Sequence, residues 1–205
     1  MPDSEPDRAL PNRRLCAVLF AIQEVMGRNG LNASLKLAGL HRYIGHLPLA
    51  NDQRDLRASE YAALIQAIET QLGSGARGQL NRIGHAAFKQ LIVADKLRWN
   101  SLAFFNRFLT PHERMRRALA QLARHLSAPD GQAAVYSDDQ RLLFTDSVSD
   151  ATYQRKRNVE ICWLTLGQIQ ECLYWATGEN YDVIEVACRA KGDPACKFQI
   201  GDKLD

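Results

Sequence analysis

Four residues in the last quarter of the chain have the types and spacing of a metal site. Cys162, Glu185, Cys188 and Cys196 follow the pattern C-x22-E-x2-C-x7-C, and three of them lie in the segment EVACRAKGDPAC. Zinc takes soft thiolate donors and carboxylates in tetrahedral sites, so the set suits it. A turn at Gly192-Asp193-Pro194 between two short strands would bring Cys188 and Cys196 together. The same proximity would also permit a disulfide. The N-terminal residues are charged and lack the apolar stretch of a signal peptide, so the chain is expected in the cytoplasm with its thiols reduced. Clustered cysteines in that setting point to metal or catalysis. Cys16 and Cys172 sit on the apolar sides of helical patterns and read as small core residues.

The run from Glu185 to Phe198, with Cys162 upstream, resembles the signature of the 4-vinyl reductase domain family. That family includes a bacteriochlorophyll-biosynthesis protein and the aromatic-effector sensor domains of phenol- and xylene-responsive activators. In those sensors three cysteines and a glutamate hold zinc. The resemblance therefore implies zinc ligation by Cys162, Glu185, Cys188 and Cys196. It is sharp over about the last fifty residues and looser over NGLNASLKLAGL and RIGHAAF.

Such a site is structural. Three thiolates and a carboxylate fill all four positions and leave none for an activated water. The centre would carry a formal charge of about −2, which Arg189, Lys191 and Lys197 could offset. Glu185 and Cys188 are three apart, and on a regular strand such residues point to opposite faces. The strand is therefore expected to bulge near Val186-Ala187.

These residues must be positioned by a larger body. The chain has 205 residues, 46% of them hydrophobic, enough to bury a core in one domain. Its net charge of +3 arises from 26 basic and 23 acidic residues, too balanced to argue for nucleic acid. No apolar run approaches the ~20 residues needed to cross a bilayer. Residues 1–12 read as a flexible, proline-bearing tail, and residues 13–205 as a single domain with a helical part (13–127) and a sheet-and-zinc part (128–205).

Helical spacing dominates the first part. Leu15, Val18, Leu19, Ile22, Val25 and Met26 form one stripe, which Gly27 or Gly30 can end; Tyr61, Leu64, Ile65, Ile68 and Leu72 form another, ending at Gly73. Leu80, Ile83, Ala87, Phe88, Leu91 and Ile92 form a third, and Gly84 inside it suggests close approach of another backbone. Residues 101–108 are short, apolar and aromatic. Thr110-Pro111-His112-Glu113 is a capping-box start for a helix buried through Met115, Leu119, Leu122 and Leu126. A turn at Ala128–Gly131 opens the second part. Strands are expected at 132–137 and 141–148, joined around Asp138-Asp139, and near 157–162. A helix over 163–177 stopped by Gly178 and a hairpin of 181–190 with 195–200 complete it. This order predicts an α+β fold: an antiparallel sheet packed with helices, closed by the zinc-stapled hairpin.

Other motifs carry less. Gly73-Ser74-Gly75-Ala76-Arg77-Gly78 matches G-x-G-x-x-G but follows a helix instead of a strand, so it reads as a helix–helix turn. The set of His112, Arg114, Arg116, Arg117, Arg124 and His125 reads as a solvated helix face. No nucleophile elbow, Ser-His-Asp order or paired carboxylates stand out, and His41, His46, His85 and His112 read as local hydrogen-bonders.

Trp99, Phe104, Phe105, Phe108, Tyr136, Phe144 and Trp163 are the candidate lining of an apolar small-molecule pocket. In the family's sensors the ligand sits between helices and sheet near the zinc unit, and the resemblance implies a similar place here. The expected function is a ligand-binding protein for a hydrophobic or aromatic molecule, with structural zinc. An accessory or reductase role on vinyl tetrapyrroles is a second reading, although no nicotinamide or flavin motif supplies electrons. A dimeric scaffold is a third, since the family's fold is related to that of small vesicle-tethering subunits, and a homodimer through the N-terminal helices would result. The sensors place an ATPase and a DNA-binding domain after the ligand domain. With Asp205 as the last residue, this chain is expected to signal through a partner protein or to carry its ligand.

Overall fold

The computed structural model describes residues 6–126, 133–137 and 141–204. The turn expected at Ala128–Gly131, the loop at Asp138-Asp139 and residues 1–5 of the expected tail lie outside these. The rest of that tail is tied down. β1 (Ala9–Leu10) opens the fold, and Leu10 is only 3% exposed. Helix α1 (Asn12–Leu37) follows, with Leu15, Leu19 and Ile22 fully buried. Gly27 kinks this helix rather than ending it: its φ of 72° is open to glycine and strained for other residues. β2 (Leu56–Arg57) pairs antiparallel with β1, and the Asn12 side-chain amide donates to Asp55 Oδ2 at 2.6 Å.

α2 (Ala58–Leu72) ends at Gly73. One turn of 3-10 helix over Gly73–Gly75 leads into α3 (Ala76–Ala94), so the glycine-rich motif is a helix–helix connection, as its context indicated. α4 (Lys96–Asn106) holds the aromatic segment. α5 (Pro111–Leu126) starts where the capping pattern placed it, the Glu113 amide donating to Thr110 Oγ1 at 3.3 Å. Its stripe of Met115, Leu119, Leu122 and Leu126 is buried.

β3 (Ala133–Ser137) and β4 (Leu142–Asp146) follow, then α6 (Trp163–Thr177), β5 (Tyr181–Ala187) and β6 (Cys196–Lys203). The four strands form an antiparallel sheet in the order β3-β4-β6-β5, with Phe144 opposite Phe198. The fold is thus helix-rich α+β, as expected. The strand expected near 157–162 does not form. Its donors are committed elsewhere: the Arg157 amide bonds the Ala190 carbonyl at 2.8 Å and the Cys162 amide bonds the Glu185 carboxylate. Two apolar cores result. One fills the space between α1, α2 and α3; the other lies between α3, α5, α6 and the sheet, and Trp163 packs against both. No helix of the described residues is long and apolar enough to cross a membrane.

Candidate metal centre

Three local features bring the four donors together. Cys162 precedes α6, and its carbonyl accepts the Leu166 amide at 2.9 Å, so the first turn of the helix fixes it. Glu185 lies on β5 just before a register shift between Glu185 and Ala187. This is the bulge that ligation by both Glu185 and Cys188 requires. Between Cys188 and Cys196 the chain turns through Gly192, at φ 103°, and the Asp193 carboxylate accepts the Cys188 amide at 2.8 Å.

The donor atoms of Cys162, Glu185, Cys188 and Cys196 all lie within 4.8 Å of one another. The Cys162 sulfur is 3.9 Å from that of Cys188 and 3.4 Å from that of Cys196. Sulfurs at zinc–sulfur distance in a tetrahedron stand ~3.8 Å apart, so the cage is near the right size. All five cysteines are free thiols, and the disulfide alternative is not adopted. The three donor cysteines are at most 1% exposed. One glutamate oxygen, Oε2, accepts the Cys162 amide at 3.0 Å, whereas Oε1 is buried with no partner among the described residues. An orphaned carboxylate oxygen beside three buried sulfurs is an unmet bonding demand that a cation satisfies.

The protonation states show the same demand. Burial, then the neighbouring Cys188, pushes Glu185 up to about 8. Hydrogen bonds from Cys162 and then Cys196 concentrate negative charge on Cys188 and lower it. The bond to Cys188 raises Cys162 in turn, with the bond to Cys196 and burial adding to it. Cys196 is lowered by Cys162, but its bond to Cys188 and its burial outweigh that and push it up to about 12. Three of the four acids thus hold their protons while the charge gathers on Cys188, and a cation in their midst would release those protons.

Outer contacts complete the site. The Ser149 hydroxyl is 3.6 Å from the Cys162 sulfur, and the Arg189 amide donates to the Cys196 sulfur at 3.4 Å. Sequence spacing does not reveal Ser149, which reaches the site only through the loop after β4. Of the expected counter-charges, the Lys191 ammonium pairs with Glu160 and the Arg189 guanidinium donates to the Val148 carbonyl. Lys197 sits on β6 across from Thr145.

The aromatic set does not gather round one cavity. Trp99 and Phe144 are fully buried in the second core, where Trp99 meets Phe88 and Trp175 edge to face at 5.2 and 5.1 Å. Phe104, Phe105, Phe108 and Tyr136 are more than half exposed, and Arg107 stacks on Phe104 and Phe108. Periodicity over so short a segment does not tell the inner face of α4 from the outer. Of the set, Trp163 borders a groove, of about 460 Å³, between α6 and β5, where Val159, Leu166, Val183 and Ile184 form an apolar wall and Arg77, Glu160, Asp182 and Glu185 add charged groups.

Comparison with known proteins places these features. None of the curated proteins matches the chain. Among solved structures, an H-NOX protein from S. oneidensis in the Fe(II)NO state superposes with a TM-score of 0.62 at 10% identity, over 96% of this chain and 100% of that one. A structure from a study of heme distortion in the H-NOX family gives 0.63 at 12% identity, over 96% and 97%. An oxygen-binding H-NOX domain related to soluble guanylate cyclases gives 0.57 at 12% identity, over 91% and 90%. At such identities the likeness is one of fold. The family model of the 4-vinyl reductase domain matches residues 156–202, which include all four donors. The matched segment is the one that builds the four-donor cage, and the family of that model is the one its cysteine and glutamate spacing resembles.

Proposed function

We propose that the protein is a sensor-type binding module for a small apolar or aromatic molecule, with its sheet locked to its helices by a structural zinc ion. Cys162, Glu185, Cys188 and Cys196 hold the ion, and the ligand lies in the groove between α6 and β5. The observation that carries this reading is the adjacency of the two sites. Glu185 belongs to both, and Trp163, on the groove wall, directly follows Cys162. A ligand wedged between Trp163 and Ile184 presses on two segments that the metal ties together. That is a direct route from binding to the stiffness of the hairpin. The four donors leave no open coordination position, so the ion acts as a staple. Output passes to a partner protein or a second copy.

Two of the solved H-NOX structures are described by their heme, which raises the question of a tetrapyrrole here. The residues present do not fit one. The space between α3, α4 and α6 is filled by the interlocked rings of Phe88, Trp99 and Trp175. No histidine lines any of the grooves described: His41 and His46 are exposed, His85 bonds Glu171, and the buried His125 lies on α5 among Arg13, Arg14, Asp95 and Arg98. The accessory role in tetrapyrrole chemistry is the weaker reading on that ground.

Native mass spectrometry of the protein, alone and as Cys188→Ser, tests the staple: one zinc is expected in the first and none in the second. Titration with the neutral probe N-phenyl-1-naphthylamine tests the groove. Saturable binding that quenches tryptophan and weakens at least tenfold in Ile184→Asp is expected. Equal binding to both forms would remove the groove from the account.

A further inference from the structure

A second groove, distinct from that between α6 and β5, lies between the loop 152–158 and the turn 189–192, with a volume of about 700 Å³. Its two walls are held together by the bond from the Arg157 amide to the Ala190 carbonyl. Arg155, Lys156, Arg157, Arg189 and Lys191 all line it, and no acidic residue does. We propose that this groove binds a phosphorylated small molecule.

The charge balance is the first support. Glu69 is shared between Arg155 and Arg157, and Glu160 takes Lys191, so one carboxylate serves two of these cations. The Lys156 ammonium has no partner among the described residues. Like charges crowded round a concave wall repel, and the field they focus there favours an anion. A second observation lies at the wall itself. Arg155 is 7% exposed, and although its terminal nitrogens bond Glu69 and the Ala151 carbonyl, its Nε is buried without an acceptor among the described residues.

The cations are not explained as counter-ions of the metal centre. Arg189 meets that centre through its main-chain amide, while its guanidinium donates to the Val148 carbonyl, and Lys191 is turned to Glu160. Lys156 and Arg157 lie outside the segment between the donor cysteines altogether.

Phosphate is the chemistry that fits. The exposed Lys156 ammonium and the exposed Arg157 guanidinium offer charge-assisted donors to its oxygens, and a dianion answers the surplus of positive charge. The volume is that of a small-molecule site. A nucleic acid would need an extended basic stripe, whereas this chain is nearly balanced, with 26 basic and 23 acidic residues. Because Arg189 and Lys191 lie between two metal donors, such a ligand would also brace the metal-binding turn.

Calorimetric titration of the zinc-loaded protein with inorganic pyrophosphate provides the test. One-site binding is expected, weakened at least tenfold in Lys156→Gln/Arg157→Gln and several-fold in Lys156→Gln alone, with zinc content and thermal unfolding unchanged. A control pair away from the groove, Lys36→Gln/Lys96→Gln, is expected to bind as the native protein does. No binding at millimolar pyrophosphate, an unchanged affinity in both groove variants, or equal weakening in the control pair would each overturn the proposal. The neutral naphthylamine probe reports the groove between α6 and β5 separately, so the two sites can fail independently.

Discussion

Gly84 and Gly167 lie against one another where α3 crosses α6. A β-carbon on Gly84 would stand 2.1 Å from the Leu164 carbonyl oxygen, and one on Gly167 would stand 2.1 Å from that of Asn81. Neither neighbour is a side-chain tip that could swing aside. The crossing therefore fixes the first turns of α6, and with them Cys162, two residues before Leu164.

Substituting either glycine should force the helices apart. Gly84→Ala is expected to destabilise the protein by about 3 kcal/mol or more, a fall in Tm of roughly 6–12 °C for a chain of this length. Gly78→Ala is the matched control. It lies exposed on the same helix with nothing within 4 Å of an added β-carbon, so it should stabilise by about 0.5–1 kcal/mol. Thermal unfolding followed by circular dichroism distinguishes the two.

Removing the proposed zinc should loosen the hairpin before the helices. Without a cation, the orphaned Glu185 oxygen and three crowded thiols have no common partner. Chelation, or Cys162→Ser, is expected to abolish amide-exchange protection in β5, β6 and the first turn of α6. The core of α1–α3 should keep its protection. Hydrogen exchange resolved by segment reads the outcome, and uniform loss across the chain would show that the metal governs the whole fold.

Asp150 should be among the most sensitive polar positions. It is 2% exposed and pairs with both Arg8 and Arg14, and Arg14 also donates to the Leu126 carbonyl at 2.7 Å. Asp150→Ala leaves Arg14 buried and uncompensated, a loss of about 3–5 kcal/mol. The double variant Arg14→Met/Asp150→Leu should recover part of it, which equilibrium unfolding in urea would measure.

His125 supplies an acid-side pH dependence. Burial first, with help from Arg13, pushes its pKa down to about 4, and its Nε2 has no partner among the described residues. The folded state thus keeps the ring neutral while the unfolded chain protonates it near its ordinary value. Stability should fall as the pH drops from about 6.5 toward 4 and be flat above that window, by an amount on the order of 2 kcal/mol. In His125→Gln the difference in stability between pH 7 and pH 5 should shrink by a similar amount.

The sequence by itself determined what depends on neighbours three, four or two residues away. The stripe of α5, its Thr110 cap, the stop of α6 at Gly178 and the bulge between Glu185 and Ala187 are all legible, because helical and strand geometry ties such residues to one face. The donor set is legible too, since few chemistries other than metal binding use three thiols and a carboxylate at that spacing. Even the close approach at Gly84 follows from a glycine within an apolar helix. Its partner Gly167 does not.

What the tertiary structure alone decided depends on residues far apart in the chain. Trp99 is sealed in a core while Phe105, six residues later, faces outward, because packing of Trp99 on Trp175 of α6 chooses one side of α4. The segment 157–162 has the residues of a strand but spends its amides on Ala190 and Glu185. Ser149 reaches the Cys162 sulfur, and two ordinary basic stretches face one another across a groove. Each outcome follows from burial and hydrogen-bond partners supplied by distant segments, and no local spacing encodes which segments those are.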